Sequence, residues 1–132
     1  MNLSFHIRVL KPEEFESALS IIENVFPDAD VDFDEDGVII MAEAFGTPVG
    51  FVHVIDDGDQ ILLQGFGVAE RYRGLGVGSA LMDRFFELYG YDRRPVYLQV
   101  LANNPAVELY TKYGFQVNDY GHSQILVRNQ FS

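Results

Sequence analysis

The sequence predicts an α+β domain: a mixed, mostly antiparallel central sheet of about six to seven strands with flanking helices. Three observations predict it. Strand-like and helix-like segments succeed one another in the order β-α-β-β-β-α-β-α-β-β. The three consecutive middle strands are joined by short Gly- and Asp-containing turns, which suit antiparallel neighbours. The strand–helix–strand unit that follows is a crossover, so the two strands it joins run parallel. The 132 residues, 48% hydrophobic and 14% aromatic, suit one domain (1–132) with a single packed core, and no repeat or Pro/Gly/Ser-rich tract divides them.

The elements follow in order. SFHIRVL (Ser4–Leu10) alternates and is rich in β-formers, giving the first strand. KPEEFESALSIIENVF is an amphipathic helix, with Pro12 at a first helical position and Glu13, Glu14 and Glu16 in the first turn. Its apolar Phe15, Leu19, Ile22 and Phe26 recur at helical spacing, and Pro27 ends it. Val38–Phe45, Val49–Ile55 and Ile61–Val68 are three strands separated by the turns GTP and DDGD. GSALMDRFFELYG is a helix with Leu81, Phe85 and Leu88 on one face, Met82, Phe86 and Tyr89 on the next, and Gly90 as its stop. Pro95–Val100 is a compact apolar strand. A short helix follows, capped by Asn103 or Asn104, with Pro105 just inside and Gly114 as its stop; FQV and SQILVRN close the sheet.

Charge narrows the partners. Twenty Asp and Glu oppose nine Lys and Arg, a net −11, which repels nucleic acid and anionic lipid and attracts cations, besides aiding solubility. The chain has no cysteine, hence no disulfide, thiolate metal site or cysteine nucleophile. No apolar run approaches the roughly 20 residues that span a bilayer, and the first twenty residues lack a signal-peptide pattern. A cytoplasmic location without membrane association is the expectation.

DFDEDGVIIMAE (Asp32–Glu43) matches a calcium-loop pattern at every specified position. An EF-hand needs a helix on each side of its loop, whereas the exit here is β-rich and reaches a turn at Gly46. Glu43 belongs to a strand, so no metal site is expected. The acidic segment Asp28–Asp36 reads either as a solvated turn or as an electrostatic lure for an amine.

RYRGLGVGSAL (Arg71–Leu81) joins a strand end to a helix start. Its glycines at 74, 76 and 78 permit positive φ and close backbone approach, the helix offers free N–H groups, and Arg71 and Arg73 add positive charge. This is a phosphate or pyrophosphate site. It lacks the lysine of a Walker loop and the third glycine spacing of a Rossmann loop.

The loop resembles the acetyl-CoA pyrophosphate motif of the GNAT superfamily of N-acetyltransferases, R/Q-x-x-G-x-G/A, met as Arg73-Gly74-Leu75-Gly76-Val77-Gly78. NNPAVELYTKYGF (Asn103–Phe115) is similar to that family's N-x-x-A-x-x-L-Y-x-x-x-G-F segment. The resemblance is densest over 61–115, and the element order above is that of the family's fold. It implies acetyl-CoA as co-substrate, lying between splayed fourth and fifth strands with its arm on the backbone of Phe66 and Val68. It implies pyrophosphate on the amides of Arg73 to Ser79, including Gly74, Gly76 and Gly78, and Asn103 near the cofactor arm. Tyr110 takes the place of the general acid to the CoA thiolate, where the residues alone read as an aromatic on a helix face; Tyr113 is assigned to the core.

The general base stays open between His53, Glu70 and ordered water, since the fourth strand carries Gln64 and no acid before Glu70. His53 alternates with Val49, Phe51 and Ile55 and reads as a satisfied histidine in a half-buried strand. Neither His6 nor His122 has a better case. The resemblance implies a primary amine as acceptor, small or peptidic, and the acidity favours a cationic one. It also admits a homodimer. The alternative is a non-catalytic acyl-CoA sensor or regulatory module of the same fold, against which Tyr110 argues because a binder needs no acid.

Overall fold

The computed structural model describes residues 4–25, 37–56, 58–90, 94–101, 106–117 and 123–128. Its elements are β1 (His6–Val9), α1 (Phe15–Val25), β2 (Gly37–Ala44), β3 (Thr47–Asp56), β4 (Ile61–Val68), α2 (Val77–Tyr89), β5 (Val96–Leu101), α3 (Ala106–Lys112), β6 (Gln116–Val117) and β7 (Ser123–Arg128). One sheet holds all the strands in the order β1-β2-β3-β4-β5-β7-β6. The β4–β5 pair is parallel and the other pairs are antiparallel, giving the mixed, mostly antiparallel α+β architecture. No helix among the described residues is long and apolar enough to cross a membrane.

Local chemistry accounts for the element boundaries. The β2–β3 hairpin turns on only Phe45 and Gly46, with φ of 54° and 76°. Both residues of a type I′ hairpin need positive φ. Phe45, expected at the end of a strand, is therefore a turn residue, 88% exposed. Ahead of α1, Pro12–Glu14 form a single 3-10 turn instead of joining the α-helix. The Glu14 carboxylate accepts from the Lys11 N–H at 3.0 Å and from Arg8 at 2.8 Å. Arg8 also bonds Glu43 at 3.1 Å, so the carboxylate that ended the calcium-like pattern lies in β2, facing β1.

The sheet buries two faces. On one, Ile40, Ala42, Val52, Val54, Ile61 and Leu63 meet Leu81, Met82 and Phe85 of α2. On the other, Ile39, Met41 and Phe51 meet Ala18 and Ile22 of α1. Each such aliphatic side chain, fully buried, contributes about 1.5–3 kcal/mol. β3 is thus buried on both sides from Pro48 to Val54, which corrects the half-buried reading: helices cover it above and below. α2 approaches closely because Gly50 has no side chain. A Cβ there would stand 3.0 Å from both Leu81 Cδ1 and Val77 Cγ1.

Candidate active site

The site begins where β4 loses a neighbour. The β4–β5 ladder runs from Ile61↔Val96 to Leu63↔Leu98 and stops. β5 continues beside β7 to Leu101, while β4 continues beside β3 to Val68. The strands therefore part after Leu63. At the same point the β3–β4 register shifts: His53 faces Gly65 and Val54 faces Leu63, so Gln64 is an unopposed bulge residue. Gln64 is exposed although its strand is central in the sheet, because both neighbours let go of it there.

Hydrogen-bond alternation then decides which backbone groups face the gap. The Ala69 N–H donates to Val49 O at 2.8 Å, so Ala69, Gly67 and Gly65 turn their backbone groups toward β3. Phe66 and Val68 turn theirs toward the side that β5 has left. Val68 O accepts from Arg73 Nε at 3.1 Å. On the α1 side of the sheet, Gly65 leaves room for the Phe51 ring, whose Cε2 is 3.2 Å from the place of a Gly65 Cβ.

Beyond Val68, residues Glu70–Tyr72 make a 3-10 turn and the glycine loop leads into α2. Gly74 (φ 76°) and Gly76 (φ 89°) take left-handed conformations, and a Cβ on either would meet nothing within 4 Å. Their need for glycine is backbone geometry in an open space. Gly78 differs: a Cβ there would stand 3.3 Å from both Leu109 Cδ2 and Phe66 Cζ. Gly78 lets the first turn of α2 sit down on β4 and α3. The Arg73 N–H is engaged with Glu70 O at 3.3 Å, and the first bonded N–H inside α2 is that of Ala80, to Gly76 O at 3.0 Å. The donors open to an anion are therefore those after Arg73, through Ser79, at the positive end of the helix. Arg71 and Arg73 are exposed, and neither is ion-paired among the described residues, unlike Arg8, Arg84 and Arg94.

α3 brings Tyr110 to this place. Gly114, at φ 93°, ends the helix in a Schellman motif: the Phe115 N–H donates to Tyr110 O at 3.1 Å and the Gly114 N–H to Thr111 O at 3.1 Å. The accompanying apolar contact is Tyr110 edge-on to Phe115, centroids 5.8 Å apart. Tyr110 also meets Phe66 edge-on at 5.7 Å, on the part of β4 that has left β5. Tyr110 is 4% exposed, and burial pushes its pKa well above the ordinary phenol value. The core assignment of Tyr113 is corrected here. Three residues on, a helix has turned 60° short of a full turn, which points Tyr113 at α2 and leaves it half-buried. Its hydroxyl lies 2.7 Å from Asp83 Oδ1.

Neither described candidate base is exposed at the fork. His53 is fully buried in β3, opposite Gly65. Glu70 is exposed in the turn beyond β4, six residues from Gln64, at the anion end of the site. His6 is exposed in β1. Asn103, His122 and the acidic segment Asp28–Asp36 lie outside the described residues. Gln64 is exposed at the fork, and its polarity amid ILLQGFGV is the signal in the sequence for that position. No group of three or more His, Cys, Asp or Glu that could hold a metal ion occurs among the described residues.

Comparisons with known proteins agree with this fold. The ribosomal-protein-S18-alanine N-acetyltransferase from Escherichia coli superimposes with a TM-score of 0.79 at 18% identity, over 98% of this chain and 96% of that one. Arabidopsis thaliana Naa50, solved with the bisubstrate analogue CoA-Ac-MVNAL, gives 0.77 at 20% identity, over 96% and 99%. The PaiA N-acetyltransferase from Thermoplasma acidophilum, solved with coenzyme A, gives 0.74 at 18% identity, over 96% and 99%. No curated protein matches the sequence. The family described as "Acetyltransferase (GNAT) domain" matches residues 35–117, more than half of the chain, in the stretch that holds the fork, the glycine loop and Tyr110. The chain belongs to the GNAT acetyltransferase family.

Proposed function

We propose that the protein is an amine N-acetyltransferase that uses acetyl-CoA, with direct attack of the amine and Tyr110 as general acid. One observation carries this reading: β4 leaves β5 after Leu63, and its free edge runs to the N-terminus of α2 with Tyr110 packed against it at Phe66. The chain's own residues fit acetyl-CoA. Open space surrounds Gly74 and Gly76, unpaired N–H groups follow them, and Arg71 and Arg73 supply positive charge for a pyrophosphate. Gly78 serves the same site by seating α2. Phe66 and the Val68 N–H offer the strand-like edge for the amide arm. Asn103 belongs to the reading through the family motif alone.

When bound, acetyl-CoA supplies an acetyl thioester and leaves as the thiol. A backbone N–H of β4 near the bulge polarises the carbonyl. Burial raises the pKa of the Tyr110 phenol, so the group is in its protonated form across neutral pH. A positioned acid of this kind contributes about 10²–10⁴-fold. The amine enters on the open face beside Gln64. A carboxamide orients an amine but takes no proton at any pH, so the acceptor arrives neutral or passes its proton to water. The net charge of −11 draws cationic amines toward the domain. The peptide conjugate held by Naa50 is the reason to include peptide N-termini among the acceptors tested. A cytoplasmic location and assembly as a homodimer belong to the same reading.

The test is thiol release from acetyl-CoA against polyamines, aminoglycosides, lysine side chains and peptide N-termini. Acetylation of one class supports the reading. Binding of acetyl-CoA without transfer to any amine favours the sensor, and failure to bind it sinks both.

A further inference from the structure

We infer that Tyr113 and Asp83 form a positioning pair, which sets the anion-binding turn of α2 against the acid-bearing α3 and thereby governs acetyl-CoA affinity. The inference rests on the function proposed above. The Tyr113 hydroxyl has one proton to give and two acceptors in reach: Asp83 Oδ1 at 2.7 Å and Ser79 O at 3.1 Å. A phenol donating to a carboxylate makes a short, charge-assisted bond, stronger than one between neutral groups. Phe86 stacks on the Tyr113 ring with centroids 5.5 Å apart and planes 17° from parallel, so the ring is fixed as well as its oxygen.

These contacts fall at an informative place. Ser79 contributes the last open N–H of the first turn of α2, and its carbonyl is the one beside Tyr113. One residue earlier, Gly78 sits against Leu109 of α3. Two successive residues of the anion-binding turn are thus seated on α3, one by apolar contact and one by the phenol. α3 also carries Tyr110, held by its own cap. The spacing between pyrophosphate donors and the acid is set by how α2 lies on α3, and Tyr113 is a polar tie between them. A phenylalanine at 113 would keep the ring stack. The hydroxyl adds the directional link to Asp83 and Ser79.

The experiment compares Tyr113→Phe, Asp83→Ala, Asp83→Asn and the double variant Tyr113→Phe/Asp83→Ala. Acetyl-CoA Kd is read by calorimetry, alongside KM for both substrates, kcat and melting temperature. Tyr113→Phe and Asp83→Ala should each weaken acetyl-CoA binding by about tenfold, with the double variant no worse than either, since one interaction is lost in all three. Asp83→Asn keeps an acceptor oxygen and should bind within about twofold of wild type. The amine KM should hold steady, and kcat at saturating acetyl-CoA should fall by less than acetyl-CoA affinity does. Unchanged Kd in Tyr113→Phe and Asp83→Ala overturns the proposal. So does a rise in Kd together with a comparable fall in kcat and a drop in melting temperature, without recovery in Asp83→Asn, which marks a merely structural contact. Failure of the pair leaves wild-type acetyl-CoA binding intact. Absence of that wild-type binding overturns the proposed function, and this inference with it.

Discussion

The two halves of β4 make an instructive pair. From Ile61 to Leu63 the strand is bonded on both edges, and Ile61 (0%) and Leu63 (6%) are buried in the core. From Gly65 to Val68 the same strand keeps β3 and loses β5, Gln64 before them pairs with neither, and these residues are half-buried or exposed. The first half is a piece of core. The second is an edge opened inside a sheet, where backbone donors are available without exposing the rim of the domain. Catalytic potential therefore arises from a ladder that stops, and the bulge at Gln64 is where it stops.

The comparison can be broken from either side. The largest effect belongs to the paired half: Ile61→Ala should lower unfolding free energy by about 2–5 kcal/mol, read as a drop in the urea midpoint at unchanged slope. Next comes Tyr110, the acid of the proposed mechanism, packed on the open half. Tyr110→Phe should reduce kcat about a hundredfold while acetyl-CoA Kd stays within about twofold; an unchanged kcat removes Tyr110 from the chemistry. Gly76→Ala forces a side chain into φ 89° with free space around it, a backbone cost of about 1–2 kcal/mol. It should weaken acetyl-CoA binding about tenfold by calorimetry. Gln64→Ala should raise the amine KM by severalfold, about 1 kcal/mol for one lost hydrogen bond, and leave stability and acetyl-CoA affinity unaltered. A stability loss like that of Ile61→Ala would erase the distinction between the halves.

The smallest expected effect is an absence of change. Because burial raises the Tyr110 pKa, the folded chain holds this proton above the ordinary phenol range. Tyr113 behaves alike, pushed up to about 12 by burial and by Asp83. The kcat profile should therefore show no alkaline fall from Tyr110 between about pH 7 and 10. The unfolded chain loses these protons first, near pH 10, so stability is full below that value and declines as pH rises above it. Chemical denaturation at stepped pH checks the sign.

Much of the site was legible because its signals are local. A left-handed backbone at Gly74, Gly76 and Gly114 leaves a glycine in the sequence, and a strand-to-helix loop with two arginines is the local pattern behind the proposed anion site. Tyr110 was legible only through the family motif, since a tyrosine on a helix face carries no sign of its neighbour across the sheet. The misassignment of Tyr113 has the same origin: helical phase relative to α2 is a tertiary quantity. β3 misled for a related reason, because a strand covered by a helix on each face no longer alternates in burial even when its sequence can be read in alternate steps.

By itself, then, the sequence determined the order of elements, the hairpins, the glycine loop and the acidic character, all of which depend on residues within a few positions of one another. Only the tertiary structure decided that β4 and β5 part after Leu63, that Gln64 stands exposed at the fork, and that Tyr110 reaches Phe66 while Tyr113 turns to Asp83. Those are outcomes of pairing and packing between segments 30 or more residues apart. No local propensity encodes where a ladder between two distant strands must end.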